Sequence, residues 1–379
     1  MLMVMRKELL INRKRLVSTF TDLININSPS FEEDLLGKHL DKLFRCLGFK
    51  VARQYFDRSF NIIACWKGNR KGVAPLMLSA HMDTIEPTEG IRYAVKNGII
   101  RSIGNTVLGA DDKSAIAQIL EAMTALKEQN IPHGDIEVVI TSAEEKGLCG
   151  AKKLDFKKIK SRYALVLDSG GPVGKIVVAA PTHVTYEMLI IGRPAHAGIE
   201  PEKGISAIRV TSEIIAAVPD GRIDAVTTAN IGMIRGGTAT NVVPKEVVIR
   251  GEVRSHAPAT LRATKNAIFD KAKGIARKRG AKVHIKAQEE YQAFRINEKE
   301  PFLAYMDAIF LKTRIRPEHT VTGGGSDANI FNQHGIVTLN LSTGMQKVHS
   351  HDEFIHIEDL VNGSLVVASA VRYFAEFGG

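Results

Sequence analysis

Residues 74–80 read Ala-Pro-Leu-Met-Leu-Ser-Ala and run straight into His81-Met82-Asp83. A short apolar run ending on a histidine and a carboxylate predicts a buried strand with polar residues at its carboxyl end. The same form recurs three times. Ile136–Thr141 leads into Ser142-Ala143-Glu144-Glu145, 163–167 leads into Asp168, and 336–341 leads into a loop that reaches His349. Helical signals lie between and before these runs. Residues 8–25 carry Leu9, Leu10, Leu16, Phe20 and Leu23 at helical spacing. A second helix is predicted from Ser28-Pro29-Ser30 to Leu47, with Glu32, Glu33 and Asp34 in its first turn and a stop at Gly48. Interior strands alternating with helices predict an α/β domain with a mostly parallel sheet covered by helices. Ligands of such sheets bind outside the carboxyl ends of the strands. All four polar clusters are therefore expected at one edge of one sheet.

The stretch 181–292 reads differently. Strands are predicted at 184–191, 227–234, 246–253 and 281–287, with helices at 204–218 and 259–279. The order β-α-β-β-α-β is the ferredoxin-like pattern. It predicts an inserted α+β domain at 181–292, with 1–180 and 293–379 forming the larger domain. A chain of 379 residues, at about 150 per domain, has room for both.

Composition narrows the class. Hydrophobic residues make up 44% and charged residues 24%, as in ordinary globular chains. That excludes a disordered or collagenous protein. No apolar run reaches the length of a membrane span, and an apolar start ahead of Arg6 and Lys7 is the reverse of a secretory signal. Cys46, Cys65 and Cys149 have no framework spacing and are expected as reduced thiols in a cytoplasmic protein. Lys and Arg exceed Asp and Glu by 51 to 41, a net +10. The densest basic run, 271–286, lacks the interleaved aromatics that base stacking uses. It reads as a solvated helix face, and neither nucleic acid nor membrane is expected as a partner. A nucleic-acid-binding protein remains the rival from another class, and a catalytically silent metal-binding scaffold a further one.

The clusters themselves point to metal chemistry. His81 and Asp83 lie two apart, so they share a face if the strand continues; a carboxylate there can fix the tautomer of a ligating histidine. Gly109-Ala110-Asp111-Asp112-Lys113-Ser114 opens an amphipathic helix; one aspartate can cap it while the other faces the site. Glu144 and Glu145 end a buried strand, where one can ligate and the other accept a proton. Asp168 ends another. In Val348-His349-Ser350-His351 either histidine can ligate. Two imidazoles and three carboxylates exceed the needs of one zinc ion. They suit two divalent ions sharing a carboxylate, because three carboxylates and a hydroxide balance four positive charges and tolerate burial. No G-x-S-x-G occurs to suggest a serine nucleophile, and no G-x-x-x-x-G-K-[ST] to suggest a phosphate loop.

At this point the motifs SAHMDT (79–84), GADDKSA (109–115), SAEEKGLCGAKKL (142–154), LDSGG (167–171), RPAHAG (193–198), GGTATNVVP (236–244), GGGSDANIF (323–331) and KVHSHDEF (347–354) carry a resemblance. The chain resembles the dizinc aminoacylase/carboxypeptidase metallopeptidases, and within them most closely the peptidase T-like tripeptidases. The resemblance implies that His81 and Asp168 bind one ion, Glu145 and His349 the other, and that Asp111 bridges them. It implies that Asp83 orients His81, that Glu144 is the general base and that His196 donates to the oxyanion. Asn241 and Arg254 resemble positions near the substrate. The implied ions are zinc, with cobalt or manganese as substitutes. The implied activity is hydrolysis of amide bonds in small peptides by an aminopeptidase. The implied insert is a lid and dimerisation domain, so a homodimer is a candidate assembly. A deacylase or carboxypeptidase of the same family is the alternative.

Overall fold

Pro75 lacks an N–H, so it can precede a central strand but not join its ladder. In the computed structural model, which describes residues 9–377, the strand accordingly runs Leu76–His81, and all six of its residues are buried. Ile136–Thr141 is likewise buried throughout. A strand buried on every residue must be covered on both faces. Leu76–His81 lies between Ile136–Thr141 and Tyr163–Ser169, parallel to both, and Val337–Ser342 adds to Tyr163–Ser169 in parallel. Antiparallel strands flank this parallel centre: Ser59–Trp66 and then Lys50–Phe56 on one side, Lys175–Ala180 on the other. The expected α/β sheet is therefore present, and the four runs that lead into the candidate residues end at the same edge. The reading of residues 1–7 lies outside the described residues.

Helix Ala110–Glu128 is buried along most of its length and packs on Leu76–His81, Arg13–Ile24 and Ile357–Phe377. The second helix begins later than its sequence suggests, at Asp34. Glu33 occupies the N-cap but makes no side-chain cap bond; its carboxylate is taken up elsewhere, as described below. A four-stranded antiparallel sheet also forms from Met345–Gln346, Phe354–His356, Ile99–Ser102 and Tyr93–Lys96. Its strands are two to four residues long, too short to show a period in the sequence. It pins the chain on either side of His349.

The chain divides into two compact units. One gathers the chain through Val178, Ile296–Val321 and everything from Ser326; the other gathers Ala179–Arg295 and Thr322–Gly325. Each has its own apolar core. In the second unit, Thr182–Ile191 alternates buried and half-buried residues, the period of a strand with one covered face. The sheet order is 221–224, 227–236, 246–255, 182–191, 282–291, antiparallel throughout. Without its outermost short strand, Gly221–Asp224, this is the ferredoxin-like order. Helices Ala207–Ala217 and Pro258–Lys278 bury Ile214 and Ile268 against it.

Candidate metal centre

A histidine whose Nδ1 faces a carbonyl oxygen must carry its proton there, because a carbonyl only accepts. Nδ1 of His81 lies 2.8 Å from the backbone oxygen of Asp83, which leaves Nε2 unprotonated and available as a ligand in the neutral ring. The Asp83 carboxylate is farther from the ring, at 3.5 Å. Its oxygens accept instead from the backbone N–H groups of Glu144 and Glu145, at 2.9 and 3.2 Å, and from the Ser30 hydroxyl. Asp83 thus joins the histidine turn to the glutamate turn.

Nε2 of His81 sits 3.1 Å from Oδ1 of Asp111 and 3.8 Å from Oδ1 of Asp168. Nε2 of His349 sits 3.2 Å from the other Asp111 oxygen, Oδ2, and 2.9 Å from Oε1 of Glu145. Asp111 therefore turns one oxygen toward each histidine. Three triads have donor atoms within 4.8 Å of one another: His81, Asp111 and Asp168; Asp111, Glu145 and His349; and His81, Glu144 and Glu145. These imidazole and carboxylate donors fit divalent ions such as zinc, cobalt or manganese. Glu144 is buried beside them.

The electrostatics agree with that fit. Burial, together with the charge of Asp111, pushes the Asp168 carboxyl well above its ordinary range. Burial and the charge of Asp168 do the same to Glu144. Burial also opposes ionisation of Asp111, but hydrogen bonds from His349 and His81 in their doubly protonated forms outweigh it and hold its carboxyl below the usual range. His349 is pushed up to about 10 by its hydrogen bonds to Asp111 and Glu145. Carboxylates forced this close call for positive charge, which dications supply.

The side chains that hold these groups in place were not evident in the sequence. Asp112, one of the two candidate caps, makes no cap bond; its Oδ2 accepts the backbone N–H of His81 at 3.1 Å. Asn340 brackets Asp168, accepting its N–H at 2.9 Å and donating to its carbonyl at 3.0 Å. Glu33 accepts the N–H of Phe31 and of Ala143, both at 2.9 Å, and the Ser59 hydroxyl at 2.7 Å. Asp327, within the glycine-rich motif, accepts from the Thr141 hydroxyl and has a second, buried oxygen without a partner. Ala143 and His349 adopt left-handed φ values of 49° and 61°, conformations that cost energy in residues with a side chain and cluster at functional sites.

The remaining candidates lie in the second unit. His196 is exposed and adjoins Asn241, also exposed, through a bridge in which Ala197 N–H donates to Asn241 O at 2.9 Å and Val243 N–H donates to Ala195 O at 3.0 Å. Arg254 stands apart from them. Its Nε and Nη2 donate to Glu252 at 2.9 and 3.1 Å, and its Nη1 faces Tyr291 Oη and Gly323 O at 3.3 and 3.5 Å.

The family model of peptidase family M20/M25/M40 matches residues 77–373, a span that takes in every ligand candidate. The chain belongs to this family. It is accordingly a metal-dependent peptidase. The uncharacterized protein YqjE of Bacillus subtilis (strain 168) is 38% identical over 97% of this chain and 100% of its own length. The crystal structure of aminopeptidase PepT from Bacillus cereus ATCC 10987 is similar at 39% identity and a TM-score of 0.87, covering 96% of this chain and 99% of that one. A tripeptidase structure from Staphylococcus aureus subsp. aureus Mu50 is similar at 34% identity and a TM-score of 0.92, covering 97% and 99%.

The division of Asp111 between two histidines gives a direct expectation. His349→Ala removes a donor from one triad only, so metal bound per chain, measured by elemental analysis after dialysis, should fall from two ions to one.

Proposed function

We propose that the chain is a dinuclear zinc aminopeptidase of small peptides, with tripeptides as its first class of substrate. The observation that carries this reading is the orientation of Asp111, one oxygen toward His81 and the other toward His349, with Glu144 buried alongside. The similarity to an aminopeptidase and a tripeptidase over nearly the whole chain supports the choice of substrate. In this reading His81 and Asp168 hold one ion, Glu145 and His349 the other, and Asp111 both. When bound, the ions lower the pKa of a water and polarise the scissile carbonyl.

The chain's own residues do the rest. Glu144 accepts the proton of the attacking water and passes it to the leaving amine. Its buried carboxyl, with a raised proton affinity, suits a group that must both take and return a proton. Asp83 orients the His81 ring and fixes the turn bearing Glu144 through its backbone N–H. His196 donates a hydrogen bond to the oxyanion. Asn241 and Arg254 contact the substrate; for Arg254 this requires that a carboxylate displace Glu252, which keeps His183 as a second partner at 2.9 Å.

The partner in this reading is a peptide, not nucleic acid. A homodimer through the inserted unit is part of it, supported by Met233 and Ile234, which are exposed on strand Thr227–Gly236. A cytoplasmic location is supported by three cysteines without a disulfide. Among the described residues, no helix is long and apolar enough to cross a membrane.

A panel of tripeptides, dipeptides, N-acetyl amino acids and carboxyl-terminally blocked peptides, assayed with added zinc, cobalt or manganese, tests the reading. Release of free amino-terminal residues from tripeptides is expected; release only from N-acyl substrates would move the chain to the deacylase alternative. Glu144→Gln should retain both ions by elemental analysis and lose nearly all turnover. His196→Ala should lower kcat by about 10²–10³ with metal content unchanged.

A further inference from the structure

Glu353 is a buried carboxylate that the proposed mechanism leaves unused; it is 1% exposed. Its Oε2 accepts the backbone N–H of Leu108 at 2.6 Å and of Gly109 at 2.8 Å, and its Oε1 accepts the N–H of Asp111 at 3.0 Å. Three donors close in sequence converge on one carboxyl group because Gly109 takes a left-handed φ of 75°, a conformation open to glycine at little cost. Nearby, the buried Lys113 donates its Nζ to the Ile26 carbonyl at 2.7 Å.

The place of Glu353 in the chain matters as much as its bonds. It follows His349 by four residues. Its own carbonyl accepts from Ser102 N–H at 3.2 Å, and the next residue, Phe354, pairs with Arg101 in the small sheet. One anchored segment thus supplies the histidine that faces Oδ2 of Asp111 and the carboxylate that grips the Asp111 backbone. The side chain of Asp111 is held from His349, and its main chain from Glu353.

We propose that Glu353 is a positioning residue for the bridging aspartate. By fixing the 108–111 turn it sets the rotation that directs the two Asp111 oxygens to different ions. This inference rests on the dinuclear reading above. The demand is for a carboxylate specifically. A glutamine has a single acceptor oxygen, and its amide would point hydrogens at an N–H donor, leaving at least one buried N–H unpaired.

The test uses the full chain, stripped of metal and titrated with zinc against a chromophoric chelator, then with cobalt followed by its visible absorption. Wild type comes first: fewer than two ions bound would sink the dinuclear reading itself, before any variant is compared. Given two ions in wild type, Glu353→Gln should bind its second ion about 10–100-fold more weakly, the usual cost of losing an outer-shell partner, with an altered cobalt spectrum at matched occupancy. Glu353→Asp, a carboxylate one methylene shorter, should fall between the two. A Glu353→Gln protein that melts at lower temperature without metal, yet binds both ions with wild-type affinity and spectrum, would reduce Glu353 to a structural role and overturn the proposal. Should Glu353→Gln fail to fold, Glu353→Asp decides alone: wild-type affinity for both ions refutes the inference, and weakened binding of the second supports it.

Discussion

Negative charge crowded into a largely buried space is the condition around which the first unit is arranged. Asp111, Asp168, Glu144 and Glu145 gather about buried His81 and half-exposed His349, where little water reaches the acids to screen them. Left alone, such a group would take up protons or spread apart. Spreading is hindered: the strands that carry the residues are parallel neighbours with no exposed residue along Leu76–His81 or Ile136–Thr141. The turns beyond the strands are tied down by side-chain acceptors. Dications resolve the conflict, and the family to which the chain belongs is one of metal-dependent enzymes.

A second set of buried acids points away from this cluster. Glu33, Asp83, Asp112 and Glu353 each accept backbone N–H groups on or beside a residue proposed as catalytic or ligating. Asn340 does the same for Asp168 with a neutral amide. Main-chain N–H groups left unpaired in such a place would be costly, so acceptor and turn stabilise each other. The left-handed Ala143 persists because Glu33 and Asp83 hold the N–H groups on and after it.

The site was readable where chemistry is written in a few consecutive residues. Apolar runs ending in His81, Glu144-Glu145 and Asp168 marked both the sheet and its functional edge, and the motif spacing carried the family. The bracing was not readable, for a physical reason. Glu33 and Ala143 are 110 residues apart, Asp168 and Asn340 are 172 apart, and Asp111 and Glu353 are 242 apart. A backbone N–H also has no side-chain identity by which its acceptor can be anticipated. Glu33 looked like an ordinary acid in a first helical turn, and one of Asp111 and Asp112 like a cap. The small sheet around His349 escaped notice because two- to four-residue strands have no period. In the second unit, strand alternation along Thr182–Ile191 revealed the covered face, while the pairing of Arg254 with Glu252 depended on side-chain reach that no pattern encodes.

That the turns are gripped by their main chain has a corollary. The N–H and carbonyl of residue 168 that Asn340 embraces would be the same whatever its side chain, and the same holds for the N–H groups of residues 81, 111, 144 and 145. The framework and the coordinating atoms are thereby separable. A donor type exchanged at one of these residues would leave the main-chain bonds in place, so a protein engineer could retune ion preference without rebuilding the loops.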